Sequence, residues 1–472
     1  MDTKIIGRKQ EISKLQELYK SGKPEFVAVF GRRRVGKTFL VREMFEKEFV
    51  FDLAGLAKSS MKKQLMNFHF SMKRSAKQEF SVPNSWLEAF EQLIALLETL
   101  PQKRKVIFMD EISWLDTQKS GFLTALEHFW NGWACSKRDI MLIVCGSATS
   151  WIMNNLINNR GGLYNRITAS IQLLPFTLHE TELFLKSKNI VWSHYQMVEI
   201  YMIMGGIPFY LEKIQKGCSV AQNIDNLFFN KSSELKKEFQ NLYASLFDHA
   251  EGYEKIVEIL SKNRNGLTRK EIIKQAKMKS GNRITTILNN LEYSGFIRSY
   301  SQPKRQKEQV FQLIDSFTLF HFLFLHQNNF RDEKFWTNSL NTPLHNVWAG
   351  LSFEIICPLH TLEIKKKLEI AGVQSAEYAW RSKNTETTVQ FDLILDRADN
   401  IVNLCEIKYA NTQYAITKEY EEKLREKIET FRQEIAPRKA IHLLMLTTFG
   451  VKQNQYSCIV QNEVMLDDLF NS

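Results

Sequence analysis

The run Gly31-Arg-Arg-Arg-Val-Gly36-Lys37-Thr38 constrains the fold more than any other part of this 472-residue sequence. It follows the wholly apolar segment 26–30, which is typical of a buried parallel strand, and it precedes a predicted helix over 37–47. The pattern G-x-x-x-x-G-K-[ST] between a strand and a helix predicts a loop whose backbone N–H groups surround phosphate oxygens. A chance glycine-rich turn is the alternative, but it does not account for four fixed positions in this context.

The side chains at the end of this loop carry the expected chemistry. Lys37 is expected to reach the β- and γ-phosphates of a nucleotide, and Thr38 is expected to ligate Mg²⁺. The N-terminus of the following helix adds a field that favours an anion. The loop therefore predicts ATP and Mg²⁺ as cofactors.

Acidic and hydroxyl side chains follow two later predicted strands. Asp110 comes directly after the apolar segment 106–109 and is the expected second ligand of the magnesium, while Glu111 is placed to polarise the attacking water. Ser147 follows the segment 140–145. It is either a sensor of the γ-phosphate or an ordinary turn serine, and the sequence leaves both open.

Strands and helices alternate through the first third of the chain. This alternation predicts an α/β domain in which a parallel sheet is covered by helices on both faces. The predicted strands are 26–30, 49–53, 106–109, 140–145 and 167–173.

These features resemble the archaeal-type ATPases, which are P-loop proteins of the AAA-related STAND group. Ile6-Gly7-Arg8 and the turn Gly205-Gly206-Ile207-Pro208 also belong to the resemblance, which covers about 1–330. It implies ATP binding, slow switch-like hydrolysis, a helical lid and a winged helix. Arg166 matches a family arginine that contacts phosphate in cis or from a neighbouring chain, although a structural ion pair is an open alternative. The expected nucleotide contacts are Gly7, Arg8, Gly31, Arg32, Arg33, Arg34, Val35, Gly36, Lys37 and Thr38.

Positive charge is concentrated in one segment. The chain has a net charge of +11, and residues 255–307 alone hold 13 Lys or Arg against 3 Asp or Glu. A basic segment in an otherwise nearly neutral chain favours a nucleic-acid contact. A solvated lysine-rich surface is the alternative.

The same segment has the pattern of a helix-turn-helix. Thr268 and Glu271 predict a capped helix start, and a second helix over 283–293 has one apolar stripe. Its opposite face carries Asn282, Arg283, Thr286 and Asn290, so this helix is expected to enter a major groove. A strand and the basic turn 303–307 would form the wing. A winged helix used for protein contact is the alternative.

A second group of charged residues lies near the C-terminus. Asp392 and Glu406 fall on consecutive predicted strands, 388–395 and 401–408, and in a hairpin both can reach one Mg²⁺. Lys408 projects to the same face as Glu406 and could position or deprotonate a water beside the metal.

This arrangement resembles the PD-(D/E)xK nuclease fold over about 345–450. The resemblance implies that Glu354 on a helix completes the site, and that Asp392, Glu406 and Lys408 are its strand residues. Phe391 stands where the family usually has proline. Two carboxylates within ~5 Å should raise the pKa of one of them when no metal is bound. Charged residues that merely face water are the alternative.

The predicted domains are an ATPase core at 1–175, a lid at 176–250, a winged helix at 251–330 and a nuclease-like domain at 345–472. No run reaches the ~18 uninterrupted apolar residues of a membrane span. The 6 cysteines are scattered, which favours a reducing cytosol, so we expect a cytoplasmic protein with no membrane partner.

The predicted function is an ATP-binding and hydrolysing switch that engages DNA and cleaves it at the C-terminal site. The alternative is a regulatory ATPase that binds DNA or a protein partner, with an inactive nuclease-like domain. A protein trigger and a homo-oligomer are open.

Overall fold

A computed structural model describes residues 5–76, 79–247, 249–263, 265–302, 305–326, 332–382, 389–435 and 438–471, with only the backbone described at 302 and 305–308. The chain divides into two compact units, Met1–Leu174 and Pro175–Ser472.

The first unit is built on a parallel sheet. Its described strands are β1 (Glu25–Phe30), β2 (Phe49–Ala54), β3 (Lys105–Asp110), β4 (Ile140–Gly146) and β5 (Ala169–Gln172). They lie in the order β2-β3-β4-β1-β5, and every neighbouring pair is parallel. Both β1 and β4 are buried along their whole length, as expected for central strands covered on both faces. The predicted α/β fold is confirmed.

Six described α-helices accompany this sheet: α1 (Lys9–Lys20), α2 (Lys37–Phe45), α3 (Met61–Ser75), α4 (Trp86–Thr99), α5 (Phe122–Gly132) and α6 (Thr149–Ile152). Aromatic side chains of α3, α4 and α5 pack together in the core, among them Phe68, Trp86 and Phe129. The sequence indicated a helical region over 58–100, and the structure has two helices there. Pro83 lies between them, and Ser85 begins the second by accepting a hydrogen bond from the N–H of Glu88.

The second unit begins with a helical region that contains α7 (Leu178–Ser187), α8 (His194–Met204), α9 (Pro208–Leu211), α10 (Val220–Ile224) and α11 (Glu238–Leu246). The predicted interruption lies between α8 and α9. Gly205 (φ 63°) and Gly206 (φ 67°) are left-handed. A Cβ on Gly206 would lie 2.2 Å from the carbonyl oxygen of Phe176. The turn therefore needs glycine at this position.

The basic segment contains, in chain order, α12 (Glu251–Lys262), β6 (Leu267–Thr268), α13 (Arg269–Ala276), α14 (Asn282–Tyr293), β7 (Ile297–Gln302) and β8 (Arg305–Leu313). The strands form an antiparallel sheet in the order β6-β8-β7. The capping box of Thr268 and Glu271 is present at the start of α13, and the apolar stripe of α14 is buried. These local predictions are confirmed. The predicted basic turn includes Pro303 and Lys304, which lie outside the described residues.

The last part contains α15 (Ser316–Phe320), α16 (Phe335–Ser339), α17 (Pro343–Ile356), α18 (Thr361–Lys367), β9 (Ser375–Arg381), β10 (Gln390–Arg397), β11 (Ile401–Lys408), β12 (Tyr414–Ala415), α19 (Lys418–Ile435), β13 (Ala440–Thr447), β14 (Val451–Lys452) and β15 (Asn462–Met465). The described strands of the main sheet lie in the order β15-β13-β11-β10-β9. Leu424 and Phe431 of α19 join a core cluster with Leu404 and Ile394 of the sheet.

One helical stretch of the described residues, Pro343–Lys367, is long and apolar enough to cross a membrane by length and composition alone. Half of the most apolar part of this stretch is buried inside the protein. Buried core helices commonly have these properties, so the stretch is weak support for a membrane span.

Candidate functional site

The phosphate-binding pattern forms a curved loop between β1 and α2. Gly31 has φ 145° and Gly36 has φ 90°, values that glycine adopts readily. A Cβ on Gly31 would lie 2.2 Å from the carbonyl oxygen of Leu173, whereas nothing lies within 4 Å of a Cβ built on Gly36. The loop is therefore closed against the end of β5 at Gly31 and open at Gly36, where α2 begins.

Lys37 is folded over this loop. Its side chain is 6% exposed, and Nζ donates hydrogen bonds to the carbonyl oxygens of Gly31 at 3.0 Å and Arg32 at 2.9 Å. Burial is the main reason that the pKa of Lys37 is lowered, and the nearby carboxyls of Asp110 and Glu111 oppose it. The ammonium group is thus held at the loop by neutral oxygens, which a phosphate could replace.

Thr38 and Asp110 meet across the loop. The Thr38 hydroxyl donates to Oδ2 of Asp110 at 2.8 Å. Burial raises the pKa of Asp110, although the hydrogen bond from Thr38 opposes the shift. A hydroxyl and a carboxylate are hard oxygen donors of the kind Mg²⁺ prefers, and they already lie side by side. This donor set fits the predicted magnesium ion.

Glu111 and Ser147 form the other half of the site. Glu111 is left-handed at φ 45°, and its carboxylate accepts bonds from the backbone N–H of Ser147 at 3.2 Å and from its hydroxyl at 2.8 Å. Because β4 lies between β1 and β3, its end reaches both the loop and the Asp110–Glu111 pair. The prediction that Ser147 belongs to this site is therefore supported by its contact with Glu111.

The segment before α1 also reaches the loop. Gly7 and Arg8 are both left-handed, with φ 68° and 56°. The guanidinium of Arg8 donates to the carbonyl oxygen of Val35 at 3.4 Å and lies 3.9 Å from the carboxylate of Glu11. Arg8 thus supports the loop at its outer turn.

The loop arginines differ in exposure. Arg32 is buried, Arg33 is exposed and Arg34 is half-buried. Arg33 is therefore the one most open to a ligand in solution. Val35 is 1% exposed, so we expect it to contact the nucleotide through its backbone and not through its side chain.

Arg166 does not lie where a contact with its own chain's nucleotide would require. Thr168, two residues later, receives a hydrogen bond from the N–H of Phe26 at 3.0 Å, which places Arg166 beside the amino end of β1. The loop follows the carboxyl end, roughly 16 Å further along the strand. Arg166 is exposed. The in-cis contact is therefore not supported, and a contact with a neighbouring chain stays a prediction.

Sequence reasoning missed Gly55. Its N–H donates to the carbonyl oxygen of Asp110 at 2.9 Å, and a Cβ there would lie 2.6 Å from the carbonyl oxygen of Glu111. The glycine that follows β2 therefore lets the chain pack against the two acidic residues. A glycine directly after a strand was the available signal.

Residues 5–214 match the model of an ATPase domain found predominantly in Archaea. This part of the chain is therefore similar to the archaeal-type ATPase domains. The match extends beyond the first compact unit to the helices around Gly205.

Over a longer stretch, this chain is similar to an uncharacterized protein of Methanocaldococcus jannaschii. It is 26% identical over 369 residues, which cover 77% of this chain and 78% of the relative. Among solved structures, the Walker-type ATPase of Pyrococcus abyssi is 17% identical, with a TM-score of 0.48, over 67% of this chain and 95% of that one. A STAND protein with a tetratricopeptide repeat sensor from Pyrococcus horikoshii is 15% identical, with a TM-score of 0.33, over 79% and 52%. Each of these TM-scores is below 0.5.

Beyond the ATPase domain, the C-terminal carboxylates lie on paired strands. β10 and β11 are antiparallel, with Leu393 opposite Cys405 and Ile394 opposite Leu404. The paired positions of these two strands end at Leu393, and the pairing of β10 with β9 is irregular between Phe391 and Ile394. The charge of Glu406 nevertheless acts on Asp392, so the two carboxyl groups lie near each other. The hairpin thus supports the predicted pairing of the two carboxylates.

Glu406 is bound by cations. It is 6% exposed, and in the described part of the chain its carboxylate meets Lys408 Nζ at 2.9 Å, Lys427 Nζ and the hydroxyl of Tyr420 at 2.5 Å. Burial opposes ionisation, but the charges of Lys427 and Lys408 and the hydrogen bonds outweigh it and lower the pKa of Glu406 to about 2. Glu406 is therefore ionised and neutralised by protein groups.

Asp392 behaves in the opposite way. Burial raises its pKa, the charge of Glu406 adds to this, and Lys427 and Arg298 oppose it. The raised pKa agrees with the prediction, although burial contributes more than repulsion. The side-chain amide of Gln390 donates to Asp392 Oδ1 at 3.1 Å. The guanidinium of Arg298 lies 3.4 Å from the Asp392 carbonyl oxygen.

Glu354 is not gathered into a metal site with this pair. Among the residues that the structure describes, no group of three His, Cys, Asp or Glu is close enough to hold a metal ion. Glu354 and Asp392 do line one cavity of about 30 Å³, room for roughly one water. The charge of Glu354 also acts on Lys408, the lysine paired with Glu406. The described arrangement does not gather all three carboxylates around one ion, and the part of Glu354 in a metal site stays a prediction.

The sequence also did not predict Tyr420 and Lys427. They lie seven residues apart on α19, two helical turns, so both project from one face of the helix. That spacing was the available signal. The carboxylates Asp392 and Glu406 have the oxygen donors that a magnesium ion prefers, but an ion could reach Glu406 only by displacing a lysine.

Proposed function

We propose that this protein is a switch that binds and hydrolyses ATP at the loop 31–38 and engages DNA through the segment 251–313. The observation that carries the proposal is the convergence of Lys37, the Thr38–Asp110 pair and the Glu111–Ser147 pair at the carboxyl edge of one parallel sheet. Nucleotide binding in general follows from the ATPase domain. The switch and the DNA contact rest on the residues described above.

Each step of ATP binding and hydrolysis is assigned to particular side chains of this protein. Lys37 leaves the carbonyl oxygens of the loop to bind phosphate. Thr38 and Asp110 would hold a magnesium ion, which would supply neutralising charge for the phosphates. Glu111 orients the attacking water once its carboxylate is no longer held by Ser147. Because Glu111 starts engaged by Ser147, hydrolysis requires a rearrangement first. This supports slow, switch-like turnover.

The DNA contact is proposed for the start of α14. Asn282, Arg283 and Thr286 are exposed there, within the segment that holds most of the excess positive charge. Asn290, also assigned to this face from the sequence, does not belong to it, because its amide donates to the hydroxyl of Tyr253 at 2.8 Å. The proposed contact surface is therefore the amino-terminal half of the helix.

The test is fluorescence anisotropy of a labelled duplex with the full chain, with ATP or ADP present. We expect log Kd to rise steeply with log salt, because neutralised phosphates release counterions, and the two nucleotides to give different affinities. A flat salt response would exclude the DNA contact. Equal affinities with ATP and ADP would exclude the switch.

A metal-dependent nuclease is the second candidate function. It is favoured by the nearness of Asp392 to Glu406, whose charges interact, and by Lys408, which lies 2.9 Å from Glu406. When bound, the metal would stabilise charge on the cleaved phosphate. The test is cleavage of labelled single-stranded and duplex DNA with Mg²⁺ or Mn²⁺, compared with Asp392→Asn. Loss of cleavage in that variant supports the nuclease, and no cleavage by either protein leaves a regulatory ATPase with an inactive nuclease-like domain.

A further inference from the structure

Two lysines from different elements share one buried carboxylate. Lys408 comes from the same strand as Glu406, two residues on, and Lys427 comes from α19. Lys427 makes its ion pair with Oε2 of Glu406, and Lys408 makes its pair with Oε1. Both oxygens of this metal-ligand candidate are thus occupied by ammonium groups.

The two acidic groups of this cluster, Glu406 and Asp392, already have protein cations beside them. The charges of Lys408 and Lys427 act on both groups, and that of Arg298 acts on Asp392. A divalent cation entering this group would meet two ammonium ions at short range, where repulsion is strong because water screens little. Metal binding therefore requires that one lysine withdraw.

Lys427 is the lysine that is able to withdraw. It belongs to a helix laid over the sheet, so its side chain can move without disturbing the strand pairing that sets the carboxylates. Its Nζ also lies 4.7 Å from the centre of the Phe391 ring, where a cation finds an attractive surface. Lys408 is the strand lysine that the proposed nuclease needs beside the metal.

We propose that Lys427 is a resident cation that occupies the divalent-ion position of the Asp392–Glu406 pair, and that Mg²⁺ or Mn²⁺ binds there only when this ammonium group leaves Glu406. The inference rests on the proposed nuclease site and concerns its regulation. Under this proposal, the position of the Lys427 side chain on α19 controls whether a divalent ion binds at the site.

The test measures Mn²⁺ binding by the nucleotide-free full chain, from the loss of the free-ion signal in electron paramagnetic resonance. Lys427→Met should bind one ion more tightly than the wild type by on the order of tenfold, the size of effect that groups around a ligand have on metal affinity. Lys423→Met is the matched control, because Lys423 is exposed on the same helix, and it should match the wild type.

A second variant locates the ion. Adding Glu406→Gln to Lys427→Met should remove the gain in Mn²⁺ affinity, since one metal ligand is lost. The proposal is overturned if Lys427→Met binds Mn²⁺ no better than the wild type, or if the gain persists without the Glu406 carboxylate. Thermal melting gives an independent readout, because Mn²⁺ should raise the melting temperature of Lys427→Met more than that of the wild type.

Cleavage assays on the same proteins separate this inference from the nuclease proposal. If Lys427→Met gains Mn²⁺ affinity but no protein cleaves DNA, the role of Lys427 as the resident cation is supported and the nuclease proposal is overturned. The opposite result is metal-dependent cleavage by the wild type together with an unchanged Mn²⁺ affinity in Lys427→Met. That result would support the nuclease proposal and overturn the proposed role of Lys427.

Discussion

Lysines stand at both candidate sites, but their partners differ. Lys37 is held by two carbonyl oxygens of its own loop, whereas Lys408 and Lys427 are held by a buried carboxylate. Exchanging a neutral hydrogen bond for a phosphate costs about 1 kcal/mol. Leaving a buried carboxylate without its cation costs about 3–5 kcal/mol. The phosphate loop is therefore ready for its anion, while the C-terminal site is neutralised by its own side chains.

The largest effect is expected at the phosphate loop. Lys37→Met removes the charge that faces the phosphates, so ATP hydrolysis should fall on the order of 10²–10³-fold, as when an electrostatic contact in an active site is lost. Calorimetry with MgATP and a phosphate-release assay measure both steps. Lys47→Met, exposed just beyond α2, is the control. Unchanged binding and turnover in Lys37→Met would contradict the assignment of the loop.

The next effect separates binding from chemistry at the same site. Glu111→Gln keeps the shape of the side chain but cannot polarise water, so turnover should fall about 10²–10⁴-fold while ATP affinity stays close to that of the wild type. Glu43→Gln, exposed on α2, should change neither. Wild-type turnover in Glu111→Gln would assign the catalytic base to another residue.

A smaller effect is expected on DNA. Arg283→Glu reverses a charge on the exposed face of α14, so duplex affinity should fall roughly tenfold and the salt dependence should flatten by about one phosphate contact or more. The control is Lys418→Glu, which reverses an exposed charge at the start of α19. Equal losses in both variants would show a diffuse charge effect and no defined surface.

The smallest effect tests how firmly the C-terminal site holds its own cations. Tyr420→Phe removes one hydrogen bond to ionised Glu406 and should cost about 1.5 kcal/mol of unfolding free energy near pH 7. The pKa of Glu406 is lowered from 4.5 to about 2, so this stabilisation is present above about pH 4.5 and is lost as pH falls toward 2. Urea denaturation at pH 7 and pH 3 measures the difference. An equal deficit at both pH values would mean that the hydroxyl does not act through the charge of Glu406.

Local patterns in the sequence predicted the first site well. The loop 31–38 is contiguous and lies directly between an apolar strand and a helix, so all three could be predicted from neighbouring residues. Asp110 follows another apolar strand, as expected for a parallel sheet. The contact of Ser147 with Glu111 depends on β4 lying between β1 and β3, and strand order is not encoded in local pattern. For Arg166, the motif left a contact in cis and a contact with a neighbouring chain both open, because it does not show which end of the sheet the residue joins.

The second site was less accessible to sequence reasoning. The Asp392 and Glu406 strands were predicted with nearly their observed bounds, because they are apolar and end in turn residues. β9 was missed, since Ser375–Arg381 alternates weakly and reads as a loop. Lys427 was missed because the many acidic and basic residues of α19 are typical of a helix that faces solvent. Only tertiary packing shows which of its lysines faces a carboxylate.

The close approach of Gly31 to Leu173 has a consequence for genetics. Every amino-acid replacement of glycine adds a Cβ, and at Gly31 that atom would lie 2.2 Å from a backbone oxygen that no rotamer change can move. A screen for loss of function should therefore recover many different substitutions at this codon. At Gly36, where a Cβ meets open space in the loop, the cost to folding comes from the backbone angle alone, so the fold should tolerate substitutions there better than at Gly31.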